Sequence, residues 1–166
     1  RARILFKFKA LLEKHMDEIA LLVTNEHGKT IEDAKGSVMR GIEVVEHNCA
    51  IASHLKGDYS ESVGTDIDTY TMRQSLGVCS GVSPFNFPVM VPVWMMLPAI
   101  ACGNTFILKP SEQTPAAPMR LVELLKEAGL PDGVVTILNG DKNVVNKLLK
   151  DDRIKTMTAV ASTPVA

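Results

Sequence analysis

The sequence predicts an α/β protein: a Rossmann-like parallel sheet with flanking helices, preceded by two long helices and a partial β-hairpin. Three observations predict it. From residue 76 onward, short apolar runs alternate with segments of helical period over short connections, and strands joined in that way must pair in parallel through right-handed crossovers. Over residues 1–57 the apolar residues recur at a period of 3.6. Between them, residues 58–75 are rich in Ser, Thr and Asp and lose that period. The chain thus divides into a helical segment (1–57), a bridging hairpin (58–75) and an α/β core (76–166).

The first helix carries Ile4, Leu5, Phe8, Leu11, Leu12, Met16, Ile19, Leu22 and Val23 on one stripe, with Lys7, Lys9, Lys14 and Asp17 off it. Gly28 ends it, as a left-handed C-terminal residue does. Thr30 caps the second helix, with Asp33 as its reciprocal partner. That stripe runs through Ile31, Ala34, Val38, Ile42, Val45, Cys49 and Ala52 to a stop at Gly57. Thr69 to Arg73 alternates polar and apolar like a half-exposed strand, in an excursion that reads as packing on another subunit. Strands follow at 77–83, 105–109, 134–138 and 156–161. Helices are expected at 88–102, at 115–128 with Met119, Leu121, Val122, Leu124 and Leu125 inward, and at 144–149.

Bulk properties exclude several classes. A net charge of −1 does not suit a polyanion such as nucleic acid, which needs clustered Lys and Arg. The longest apolar stretch, 89–102, holds two prolines and is too short to span a bilayer. Cys49, Cys79 and Cys102 are odd in number, widely spaced and without a CxxC pair, so neither a disulfide framework nor a zinc site is expected. The chain begins at Arg1 and stops at Ala166 as a new helix is about to start, and so reads as an internal piece of a longer protein.

Each chemical candidate has a plain structural reading beside it. Gly28-Lys29-Thr30 has the look of a P-loop tail, but Val23 stands where the loop needs its first glycine; a helix stop followed by a helix cap accounts for the run. Glu43, Glu46, His47 and His54 read as a solvated helix face rather than metal ligands, and no metal site is expected. Cys79 and Cys102 lack a neighbouring His or helix N-terminus to lower their pKa and read as packing residues. Ser83-Pro84-Phe85-Asn86-Phe87-Pro88 stands where a dinucleotide site would carry G-x-G-x-x-G, so any cofactor there is held by side chains. Asn86 serves either as a turn residue or as an amide donor aimed at a developing oxyanion. Lys109 and Glu112 form either a surface ion pair or a ribose anchor. An acidic residue after the second strand accepts hydrogen bonds from the adenosine ribose, and its charge disfavours a 2′-phosphate, favouring NAD over NADP.

Together, Pro84-Phe85-Asn86-Phe87-Pro88, Gly103-Asn104-Thr105, Lys109-Pro110-Ser111-Glu112 and Leu130-Pro131-Asp132-Gly133-Val134 resemble the aldehyde dehydrogenase superfamily. Arg40-Gly41-Ile42-Glu43-Val44-Val45-Glu46-His47, and Phe85 where other branches usually carry Trp, are similar to its CoA-acylating methylmalonate-semialdehyde dehydrogenase branch. The resemblance implies an enzyme that oxidises a semialdehyde with NAD through a cysteine thioester, with CoA as acyl acceptor and the nucleophile beyond Ala166. It implies that Asn86 is the oxyanion-hole amide and Arg40 the clamp on a substrate carboxylate. It further implies that Lys109 and Glu112 bind the ribose, that Pro84 and Phe85 line the nicotinamide side, and that Ser162 lies near the pyrophosphate at a helix N-terminus. A homo-oligomer, dimer or tetramer, is implied, placed in the cytoplasm of a bacterium or the mitochondrial matrix of a eukaryote. Two departures stand out: Ala159-Val160-Ala161-Ser162 replaces the family's Phe-x-Gly-Ser, and Lys142 and Asn146 replace glycines found in many relatives, so Ala161 is expected to crowd the phosphates. The competing readings are a non-catalytic fragment or subunit-interaction module, and a CoA-independent aldehyde dehydrogenase.

Overall fold

The computed structural model describes residues 1–163. Four helices come first: α1 (Ala2–Lys14), α2 (Met16–His27), α3 (Ile31–Cys49) and the single turn α4 (Ile51–His54). The hairpin strands β1 (Tyr59–Gly64) and β2 (Ile67–Tyr70) follow. The core then alternates β3 (Val78–Val82), α5 (Met90–Ala101), β4 (Thr105–Lys109), α6 (Ala116–Glu127), β5 (Val135–Ile137), α7 (Lys142–Lys150) and β6 (Ile154–Ala159).

The expected first helix is two. His15 sits between α1 and α2 at φ −102°, ψ 15°, still donating its N–H to Leu11, so the stripe survives the break: Leu5, Phe8, Leu12, Ile19 and Val23 are all buried. Gly28 ends α2 in the left-handed region at φ 86°, where a side chain would be strained. The Thr30 hydroxyl accepts from the Asp33 N–H at 3.2 Å; the reciprocal half of the box is not formed. The second long helix likewise breaks, at Ala50, which advances the buried face by one residue, so Ile51 is buried and Ala52 exposed. In the hairpin the second strand is Ile67–Tyr70, ending three residues before the expected Arg73. It pairs antiparallel with β1, and every residue of both strands is exposed.

The four core strands are all parallel, in the order β5-β4-β3-β6. The chain moves outward from β3 to β4 to β5, then returns to add β6 on the other side of β3. A right-handed crossover in the reversed direction must use the opposite face of the sheet. Accordingly α7 lies across a groove with Val78, Ile107 and Ile154, through Val144 and Leu148, while α5 covers the other face. α5 is apolar all round, with only Trp94 and Pro98 exposed, because it is sandwiched between the sheet and α3. In α6 the buried set is Ala117, Leu121, Leu124 and Leu125; Met119, expected inward, is exposed.

Candidate functional site

The crevice lies where three strands end level. In the ladder Val82 is paired with Lys109 on one side and Ala159 on the other. Beyond those residues the chains still touch: the Ser83 N–H donates to Lys109 O at 3.1 Å, and the Val160 N–H donates to Val82 O at 3.2 Å. The strand order reverses at β3, and an open α/β sheet presents its ligand crevice outside the carboxyl ends at such a point. Here the crevice has a volume of about 470 Å³, and its wall includes Pro84, Phe85, Asn86, Lys109, Glu112 and Ser162. Ser83, Ser111 and Ala161 line it as well. Arg40 does not: it is exposed on α3, next to Gly41, where α3 packs on Val89 and Val93 at the start of α5. The helix expected after Ser162 lies outside the described residues.

The Lys109 side chain is only 6% exposed, which a surface ion pair would not require. Its Nζ donates to Glu112 Oε2 at 2.9 Å, and that ammonium, hydrogen-bonded to the carboxylate, holds the Glu112 carboxyl below its usual range. Glu112 stays open to solvent, so the crevice presents a carboxylate whose other oxygen makes no hydrogen bond to another residue among the described residues. Beside it the Ser83 hydroxyl oxygen is buried without a hydrogen-bond partner among the described residues. A buried hydroxyl left unpaired costs free energy, and a polar ligand in the crevice would relieve it.

Asn86 lies in the turn between β3 and α5 and is exposed. Its side-chain amide makes no hydrogen bond among the described residues, whereas its backbone is held from two sides. Lys29 Nζ donates to Asn86 O at 3.0 Å, and the Thr114 hydroxyl donates to Phe85 O at 3.2 Å. His27 stacks on Phe85 with ring centroids 5.6 Å apart and planes 18° from parallel. Lys29 and Thr114 were not legible as site residues. A helix stop followed by a helix cap accounts for Lys29 locally, and its contact with Asn86 spans 57 positions.

No thiol lines the crevice among the described residues. Burial pushes the Cys79 and Cys49 thiols up, away from the thiolate form. No cluster of His, Cys, Asp and Glu among the described residues could hold a metal; Glu43, Glu46 and His47 are exposed, with His47 stacked on His54 at 4.5 Å.

The model of the aldehyde dehydrogenase family matches residues 1–166. The chain is 52% identical over its full length to malonate-semialdehyde dehydrogenase of Pseudomonas aeruginosa, of which it covers 33%. It is 49% identical over 98% of its length to the acylating mitochondrial methylmalonate-semialdehyde dehydrogenase of Arabidopsis thaliana, covering 27% of that protein. A Sinorhizobium meliloti structure, described as a methylmalonate-semialdehyde dehydrogenase and solved with NAD, superposes with a TM-score of 0.98 at 50% identity, over 100% of this chain and 34% of that one. The chain therefore spans about a third of the length of the relatives it matches.

Proposed function

Because the chain belongs to the aldehyde dehydrogenase family, matched over residues 1–166, we propose that it is the cofactor-binding portion of an NAD-dependent enzyme that oxidises a short semialdehyde of the malonate or methylmalonate type to an acyl-CoA. One observation carries this reading: Asn86, Lys109, Glu112, Pro84, Phe85 and Ser162 line one crevice at the carboxyl ends of three level strands.

The crevice suits NAD in its donor set. The free oxygen of Glu112 can accept from ribose hydroxyls while Lys109 secures the carboxylate from behind. That fixed negative charge repels a 2′-phosphate, which selects NAD against NADP. Ser83 and Ser162 offer hydroxyl donors, and Pro84 and Phe85 give an apolar wall for the nicotinamide side. Ala161, at the same wall, narrows the approach to the phosphates. Bound NAD supplies the hydride acceptor. The Asn86 amide, free of other partners, donates to the oxygen that becomes negative when a nucleophile from the rest of the protein attacks the aldehyde. Arg40 clamps the substrate carboxylate, a pairing that guanidinium makes bidentately; its exposure on α3 is compatible with that role in the complete protein. The names of two eukaryotic relatives, which describe them as mitochondrial, support a mitochondrial location for a eukaryotic protein.

The test is calorimetric titration of NAD into the whole protein and its variants. Glu112→Gln and Lys109→Ala should each weaken NAD binding by about tenfold, the usual worth of a hydrogen bond to a charged group. Unchanged affinity in both removes the ribose-anchor reading. Chromatography of the product, acyl-CoA against free acid, decides the CoA assignment.

A further inference from the structure

We propose that Lys29 and Thr114 are positioning residues for Asn86, an inference that rests on the oxyanion role given to Asn86 above. The direction of a side chain from its Cα is set by the two peptide planes that flank it. Here each plane is held by a side chain from a different part of the molecule. The plane before Asn86 carries the Phe85 carbonyl, which accepts from the Thr114 hydroxyl at 3.2 Å. The plane after it carries the Asn86 carbonyl, which accepts from Lys29 Nζ at 3.0 Å. The turn lies between β3 and α5 and has no ladder partner of its own at these carbonyls.

Among the described residues, each of the two donors makes its hydrogen bond to this turn and to nothing else. Thr114 is 1% exposed and sits at the start of α6, where a hydroxyl normally caps the helix. It does not do so; the Ala116 N–H is taken by Glu26 Oε2 at 2.9 Å, and the one hydrogen bond of the Thr114 hydroxyl among the described residues is the one it donates to Phe85 O. The Lys29 side chain is 9% exposed, and its ammonium is 3.8 Å from Asp33 Oδ2, beyond hydrogen-bond reach, and 4.6 Å from the centre of the Phe87 ring. The Asp33 carboxylate and the Phe87 face offset part of the cost of burying this ammonium, and the one hydrogen bond it makes among the described residues goes to the Asn86 carbonyl. An amide that must meet an oxyanion within a few tenths of an ångström is held that closely only when residues behind it are themselves fixed. Lys29 meets that condition: it follows Gly28, which ends α2, and precedes Thr30, which caps α3.

The experiment is a pair of double-mutant cycles in the whole protein, read by single-turnover NADH formation with saturating NAD. Lys29→Met and Thr114→Val should each slow that step by about tenfold to a hundredfold, the scale on which misplacing a catalytic group acts, with NAD affinity unchanged. Lys29→Arg and Thr114→Ser, which keep a donor, should restore most of the rate. In an Asn86→Ala background neither Lys29→Met nor Thr114→Val should slow the reaction further. Losses that add to that of Asn86→Ala, or no loss in the single variants, overturn the positioning role. Crystal structures of the single variants separate this inference from the reading beneath it. If Asn86→Ala leaves the rate intact while Lys29→Met displaces the Asn86 side chain, the oxyanion reading fails and the brace stands. If Asn86 stays in place in both variants, the brace fails. Should Lys29→Met not fold, Thr114→Ser against Thr114→Val decides alone.

Discussion

A methyl group on Gly81 would come 2.6 Å from Phe106 Cζ and 3.1 Å from Met95 Sδ. Met95 is unbranched and can yield, but the Phe106 ring is 2% exposed and closely packed. Gly81→Ala should therefore destabilise the protein by about 1–3 kcal/mol, the usual range for overpacking a core, seen as a lower denaturant midpoint. A stability equal to wild type would mean the ring has room to move. At this scale Asn86, Lys109 and Glu112 were legible as polar residues at strand ends, because an apolar run bounded by a lone amide or charge stands out. The depth of Lys109 was not, since burial depends on what packs over the strand end. Thr114 reaches Phe85 across 29 positions and Lys29 reaches Asn86 across 57, and no local pattern announces such contacts.

Periodicity located the elements well wherever packing sets the face. The second core strand falls on Thr105–Lys109 as its apolar run implied. Periodicity failed where a helix changes phase without Gly or Pro to mark it, at His15 and Ala50. α2 and α6 are joined by an ion network that the sequence could not show: Arg120 Nε donates to Glu18 Oε1 across 102 positions, and the His15 ring lies 2.7 Å from the other Glu18 oxygen. The Arg120 hydrogen bond, and then His15, hold the Glu18 carboxyl below its ordinary value of 4.5. A carboxyl lowered on folding stabilises above its unfolded pKa, and that contribution is lost as pH falls through the lower folded value. Glu18 is 45% exposed, so solvent screens the pair. Arg120→Ala should accordingly cost about 0.5–1 kcal/mol at pH 7, measured by urea unfolding. The difference from wild type should shrink as pH drops below 4.5. A difference constant down to pH 3 would assign the loss to Arg120 packing rather than to its charge.

In the molecule as a whole, the β1–β2 hairpin is the part whose surroundings are least complete. Both strands are exposed along their whole length, with Tyr59 at 64%, Ile67 at 55% and Tyr70 at 73%. A lone two-stranded hairpin is marginal in water, and its outer edges offer unpaired donors and acceptors to any neighbouring strand. Local contacts tie its two arms together: Thr71 accepts at its hydroxyl from the Asp58 N–H at 2.7 Å, and the Tyr59 hydroxyl donates to Asp68 at 2.8 Å. These fix the hairpin's own shape and leave its apolar side chains without cover. We propose that a second copy of the same protein covers them, as the family resemblance implies, and that the assembly is a dimer or tetramer. Tyr70→Asp and Ile67→Asp place a charge on that surface without touching the crevice, which is built from β3, β4 and β6. Light scattering should then give a smaller mass for the variant whole protein than for wild type, while NAD affinity stays the same. Retention of the wild-type mass in both variants would place the subunit contact elsewhere, because desolvating an unpaired carboxylate at an interface core costs several kcal/mol.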